Sequence, residues 1–584
     1  MEAQTKNCQN CHNDFTIESE DFAFYDKIKV PPPTFCPECR NQRRLTWRNN
    51  LSLYNRECGL CGKRIVTLYS KESRIIPYCN KCYWSDQWNP IDYGRDYDFS
   101  RTFFEQLKEL ELSVPHQATI NDDGIASINS EYSNDCWYAK NCYMAFYVWN
   151  VENVMYSSHV VANAKHVVDS INILEQSEWL YDCYACHQCY KMKDSDFCVG
   201  CQDSSFLFDC RGCSDSFMCI GLRNKKYCYR NAQYTREEYE KILASYKLHT
   251  REGADKAREE YSKFILGTPR RYAQIYHSVN CTGDLIYNGK NSKWCFAVRN
   301  PIDCKWIDSP GDTLTDCYDI STAGEMSQSY EVVTCDQSNM NKFGLFSVKS
   351  QDLRYAQYCT GSKSLFGCVG VRKGKYCILN KQYSEDEYGK MVTKIITQMK
   401  EAPYIDKRGV AHSYGDYFPS ELSPFGYNET VAAERCPLGR EEVLSRGWNW
   451  QDNIQRTAGN ETLPPSALPD SIEDVDDSIT GQILKCVSCG RNYKIIENEL
   501  TFYRSMSVPL PDKCFFCRHT RRVNRTNPYF LWKRQCACDY QIYSNTIKHG
   551  HHAEGRCLNE FETSYAPDRP EIVYCESCYN AEVA

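Results

Sequence analysis

Eight cysteines near the start of the chain fall into four C-x-x-C pairs: Cys8/Cys11, Cys36/Cys39, Cys58/Cys61 and Cys79/Cys82. A C-x-x-C turn sets two thiolates about one zinc–sulfur reach apart, and a second turn brought alongside completes a tetrahedron around the ion. Pairing consecutive turns predicts two four-cysteine zinc sites, with 24 residues between the turns of the first and 17 between those of the second. A crossed pairing is the less economical alternative. Sites made only of thiolates are closed and structural, because no coordination position is left for water.

The far end repeats the pattern. An offset of 478 carries Cys8, Cys11, Cys36, Cys39 and Cys58 onto Cys486, Cys489, Cys514, Cys517 and Cys536. The same offset carries Phe24-Tyr25 onto Phe502-Tyr503, and Arg40, Arg43 and Arg44 onto Arg518, Arg521 and Arg522. Farther on, Tyr78-Cys79-x-x-Cys82-Tyr83 recurs as Tyr574-Cys575-x-x-Cys578-Tyr579. Register kept over such a span means two copies of one bipartite module. The second copy departs where Cys536-x-Cys538 replaces Cys58-x-x-Cys61, followed by an insert with His549, His551, His552 and Cys557. The expected fourth site is Cys536, Cys538, Cys575 and Cys578, with Cys557 or a histidine as the alternative for one member. About four zinc ions per chain follow.

The first half of each copy, C-x2-C-x3-[FY] … FY … P … C-x2-C-R-x2-RR, resembles the zinc-ribbon (treble-clef-like) family of short modules, over about 40 residues at each end. The resemblance implies a metal and assigns no activity. Through the stretch Phe561–Cys575, the whole chain also resembles uncharacterised multi-zinc-ribbon proteins of candidate-phylum bacteria.

The middle is duplicated at an offset of 149. Cys210, Cys219 and Cys228 map onto Cys359, Cys368 and Cys377, and the match continues through Asn231/Asn380 and Tyr239/Tyr388. Thr235 and Ser384 are expected to cap helices, with acids in the first turn where the helix dipole favours them; the first of these helices is expected to run to about Ile265, broken near Gly253. Upstream lie short aromatic or β-branched segments, and Cys186, Cys198 and Cys210 are spaced by twelve, as are Cys189, Cys201 and Cys213. Strand-like segments at a short period predict a β-solenoid, with a sandwich as the alternative. Three roles compete for the cysteines there: small buried side chains, further zinc at Cys183/Cys186/Cys189 and Cys198/Cys201, or disulfides.

The predicted fold class is therefore multidomain and mainly β, with zinc-ribbon modules at both termini flanking two β-solenoid-like lobes joined by a helical segment. The expected order is a bipartite zinc module over 1–95, a connecting helix over 96–119, lobe one over 120–234, a helical connector over 235–269 and lobe two over 270–383. A helix and ordered extension follow over 384–456, then a linker over 457–484 and the second zinc module over 485–584. The linker assignment rests on six acids with no Lys or Arg.

The chain has 584 residues, 37 of them Cys, and a net charge of −7, which excludes a protein held on nucleic acid by bulk charge. Reduced clustered thiols, with no leader-like or membrane-spanning segment, suggest the cytoplasm. A local basic excess remains: residues 486–540 carry ten Lys/Arg against four Asp/Glu. Arg40, Arg43, Arg44 and Arg48, and Arg518, Arg521, Arg522 and Arg525, would share helix faces able to grip RNA or DNA phosphates, ribosomal RNA included. The competing expectation is that they pair with acids of their own module such as Glu20, Asp21 and Glu38, leaving a protein–protein scaffold with Tyr-rich faces. Phosphate-loop, dinucleotide-binding, metalloprotease and hydrolase motifs are absent from the sequence. An enzymatic role would rest on an open position at the fourth site.

Overall fold

The computed structural model describes residues 2–161, 163–173, 178–181, 185–187, 193, 197–307, 311–315, 317–327, 329–336, 338–454, 457–541, 549–552 and 555–583. Cys183 and Cys189 lie outside them. The chain forms two compact units, each assembled from two stretches of sequence: Met1–Thr119 with Gln274–Ile454, and Ile120–Ala273 with Gln455–Ala584. Each unit thus contains one cysteine-rich end and one copy of the duplicated middle. Among the described residues are twelve α-helices and many sheets, a mixed α/β chain where mainly β was expected. None of these helices is long and apolar enough to cross a membrane.

In the first unit, an eleven-stranded sheet runs from Ile275–Tyr276 to Lys381–Gln382, each strand pairing with its neighbour in sequence. All its pairings are parallel except the last. Register advances by twelve residues at most steps, as in Gly283↔Cys295, Ser321↔Val333 and Leu365↔Cys377. So short an advance requires sharp turns, and left-handed residues supply them. Asn280, Asn288, Asn291 and Asn300 all have φ near +50°, a region asparagine tolerates better than most residues. Their amides also form ladders: Asn280 donates to Asn291 (3.2 Å), Asn291 to Asp303 (3.1 Å) and Asn288 to Asn300 (3.1 Å).

The second unit follows the same rules in shorter sheets, with Asn134↔Phe146, Phe146↔Ser158 and Ser205↔Phe217 in parallel register. Cys186, Cys198 and Cys210 are direct register neighbours there, which is what their spacing of twelve encodes. The inward positions are apolar and include Cys136, Val148, Val160, Cys210 and Cys219. Cysteines whose side chains are described are free thiols. Inside the stacks they sit against backbone carbonyls, as Cys368 Sγ does 3.3 Å from Cys377 O.

Both stacks end alike. The Asn231 amide bonds Ile220 N and O at 2.9 Å, and the Asn380 amide bonds Val369 N and O at 2.8 Å. A side-chain amide thereby replaces the peptide that a further strand would offer. Thr235 and Ser384 then cap their helices, accepting from Glu238 N (3.3 Å) and Glu387 N (3.4 Å). The first of these helices is broken before it reaches Ile265, as expected, but a few residues ahead of Gly253. It spans Arg236–Ser245, and a new helix, Arg251–Leu266, starts at the cap Thr250. Gly253 lies inside that second helix, where a Cβ would stand 2.1 Å from Tyr246 O. The acidic stretch read as a linker carries three 3-10 turns between Pro465 and Gly481 and buries Leu468, Ile472, Val475 and Ile479.

Candidate metal centres

Each cysteine cluster is built from a hairpin and a helix start. The hairpin Gln4–Asn7/Asp14–Ile17 carries Cys8 and Cys11 at its tip, and Cys36 caps the helix Pro37–Leu45, whose first turn brings Cys39 round. Cys36 N donates to Cys8 Sγ (3.2 Å), and Cys11 and Cys36 sulfurs lie 3.7 Å apart. The hairpin Tyr54–Glu57/Arg64–Thr67 and the helix Asn80–Tyr83 do the same for Cys58, Cys61, Cys79 and Cys82, with Cys79 N donating to Cys58 Sγ (3.3 Å). In the second unit, Leu484–Lys485/Asn492–Tyr493 and the helix Phe515–Arg525 gather Cys486, Cys489, Cys514 and Cys517. There the Cys486–Cys517 and Cys489–Cys514 sulfurs are 3.7 and 3.6 Å apart.

Four sulfurs placed tetrahedrally about one ion at a 2.3 Å bond length are about 3.8 Å apart, so these sets fit a metal ion. Burial raises the thiols of Cys58 and Cys486, but backbone N–H groups of their own turn and of the facing one outweigh it and bring each down to about 7. The N–H groups that favour the thiolate are those that hold the knuckle in shape.

The fourth cluster is the alternative set, with Cys557 in the place of Cys538. Its four thiolates are Cys536, Cys557, Cys575 and Cys578, and Cys538 belongs to a neighbouring group with His549, His552 and Cys578. The hairpin explains the change. Strands Trp532–Gln535 and Glu560–Thr563 pair as Tyr54–Glu57 and Arg64–Thr67 do, and Cys536 and Cys557 flank the inserted loop as Cys58 and Cys61 flank their two residues. Cys536 N donates to Asn559 O as Cys58 N does to Lys63 O, both at 2.8 Å. The sequence held the signal. The offset changes from 478 to 496 across the insert, and 496 carries Cys61 onto Cys557.

The structure buries most of the arginines expected on phosphates. Arg40, Arg43, Arg44, Arg48, Arg518 and Arg522 are buried, and Arg521 and Arg525 are partly buried. Most of the acids they meet come from the strand stack rather than from their own module. Arg40 Nε and Arg44 reach Asp319 at 2.7 and 3.4 Å, and Arg43 reaches Glu331 at 2.7 Å. In the second unit, Arg518 Nε and Arg522 both reach Asp169 at 2.9 Å. The correspondence extends to the ring beneath: Arg40 lies over Trp306 (5.0 Å) and Arg518 over Tyr156 (4.9 Å). It extends to the backbone too, where Arg40 donates to Phe35 O and Arg518 to Lys513 O. Of the module acids, Asp21 accepts from Lys305 (2.7 Å) and Tyr318 (2.9 Å), and Glu499 accepts from Tyr156 (2.9 Å). Sequence reasoning missed Asp169 and Asp319. Their separation of 150, one more than the offset of the repeat, is the signal that pairs them.

These clusters are consistent with zinc-ribbon-like modules. No family model, curated protein or solved structure matches the chain.

Proposed function

We propose that the protein is a non-enzymatic, zinc-stabilised interaction scaffold: two β-solenoid lobes, each clamped by a zinc module at its flank. The observation that carries this reading is the fate of the arginines. Five of the eight side chains that would have made phosphate-binding faces, Arg40, Arg43, Arg44, Arg518 and Arg522, are spent on buried carboxylates of the strand stacks, so the modules act as structural caps. Zinc is the ion that closed tetrathiolate sets take without redox chemistry. The twelve-residue parallel register supports the solenoid, since each coil buries its inner face only against its neighbours.

The partner surface we favour is on the second unit, where Ile128, Tyr138 and Trp149 are 59, 51 and 46% exposed. Tyr138 and Trp149 pack edge-to-face, presenting rings at a modest entropic cost of ordering. Two experiments test the reading. A photo-crosslinker at position 138 or 149 should give a discrete protein adduct in the producing cell, which one at exposed Leu558 does not. Titration with mixed-sequence RNA or duplex DNA should give no tight complex. Binding that weakens steeply with salt would contradict the scaffold and restore nucleic acid as the partner.

A further inference from the structure

The group beside the fourth cluster is itself a complete ligand set. Cys538 Sγ lies 3.6 Å from His549 Nδ1 and 3.4 Å from His552 Nε2; His552 Nε2 lies 3.3 Å from both Cys578 Sγ and His549 Nδ1. For a tetrahedral ion with zinc-like bond lengths, sulfur–nitrogen edges are about 3.6 Å and nitrogen–nitrogen edges about 3.3 Å. These four of the six edges lie within about 0.3 Å of that geometry, and all four ligand atoms lie within 4.8 Å of one another.

A second observation selects the ligating atom of His549. Its Nε2 is 2.8 Å from Glu582 Oε1. An ionised carboxylate only accepts, so Nε2 carries the hydrogen and Nδ1 turns its lone pair toward Cys538 and His552. A carboxylate behind a histidine in this way is the usual support of a metal-bound imidazole. The inserted loop therefore contributes more than a longer hairpin tip: it carries Cys538, His549 and His552 to the one sulfur that the original cluster also uses.

We propose that the last module binds two divalent ions of the zinc class sharing Cys578 as a bridging thiolate. One ion takes Cys536, Cys557, Cys575 and Cys578; the other takes Cys538, His549, His552 and Cys578. Five thiolates and two neutral imidazoles then surround two dications, leaving a net charge of about −1, where a single dication in four thiolates carries about −2. Sharing a sulfur thus relieves charge in a buried cluster. His551 Nε2, 3.1 Å from Cys578 Sγ, is placed to donate to that sulfur. A fifth ion per chain follows, and the inference rests on the zinc reading of the other clusters.

The test is native mass spectrometry of the full chain purified with zinc, beside the His549→Ala/His552→Ala and Cys538→Ser variants. Wild type should carry one more zinc than either variant, and each variant should keep the ions of the four tetrathiolate sets. Equal zinc content in wild type and both variants overturns the second ion while leaving the zinc reading intact. A wild type without zinc overturns both. Cobalt(II) reconstitution tests the bridge itself. Two high-spin ions sharing a thiolate couple antiferromagnetically, so the wild type should show fewer paramagnetic spins than bound cobalt, and the double histidine variant should show equal numbers. A full spin count in a wild type holding the extra ion overturns the shared sulfur.

Discussion

Asp319 and Asp169 hold together what the arginines alone would drive apart. Each lies between two buried guanidinium groups, and a buried charge that loses its partner is destabilising by about 3–5 kcal/mol. Asp319→Ala should therefore destabilise the first unit, and Asp169→Ala the second, by that order in denaturant unfolding at saturating zinc. A loss below about 1 kcal/mol would place the clamp's strength elsewhere. Glu499 makes a separate prediction about pH. Burial, opposed by Arg518, pushes it up to about 7. A folded value above the unfolded one gives stability that is complete below the ordinary carboxyl range and lost as pH rises through about 7. Glu499→Gln should thus gain about 1–3 kcal/mol relative to wild type between pH 5 and pH 8. A difference independent of pH would contradict the shifted carboxyl.

Among the elements, the strand stacks depend on repeated side-chain ladders more than on any one strand. Asn380 and Asn231 close the last turn, and removing the amide leaves a strand N–H and C=O without partners. Asn380→Ala should lower stability by about 1–3 kcal/mol, read by thermal unfolding, with Asn231→Ala acting alike in its own unit. Hairpins, knuckles and capped helices were legible in the sequence because each rests on residues close together: Cys36 and Cys514 opening helices, Thr235 and Ser384 starting them. Cys557 was harder to assign because an insert separates it from its partner strand and breaks the repeat's offset. The break at Thr250 was misplaced by a few residues because Gly253 reads as a helix breaker, although its missing Cβ admits the carbonyl of Tyr246. Least legible were the arginine partners, since nothing local in the composition distinguishes a solvated basic face from one buried against a carboxylate almost 300 residues away.

For the whole chain, the two units have a consequence for how the protein can be divided. Residues of the first cysteine-rich end find their acids in the later strand stack, and those of the second end in the earlier stack, so no cut between the repeats leaves each half self-sufficient. A fragment of residues 1–273 should expose Arg40, Arg43 and Arg44 and aggregate. Fragments 1–119 and 274–454, produced together, should copurify, and Asp319→Ala should weaken their association. Independent, monomeric folding of 1–273 would contradict this assembly. The most direct measurement of the central claim, that bound ions shape the ends and the ends clamp the lobes, is hydrogen exchange of the full chain with and without a strong zinc chelator. The account predicts that the helices Pro37–Leu45 and Phe515–Arg525 lose protection when metal is removed, while strands Gln351–Gln357 and Lys363–Phe366 exchange slowly in both states. Equal protection of those two helices with and without metal would contradict it.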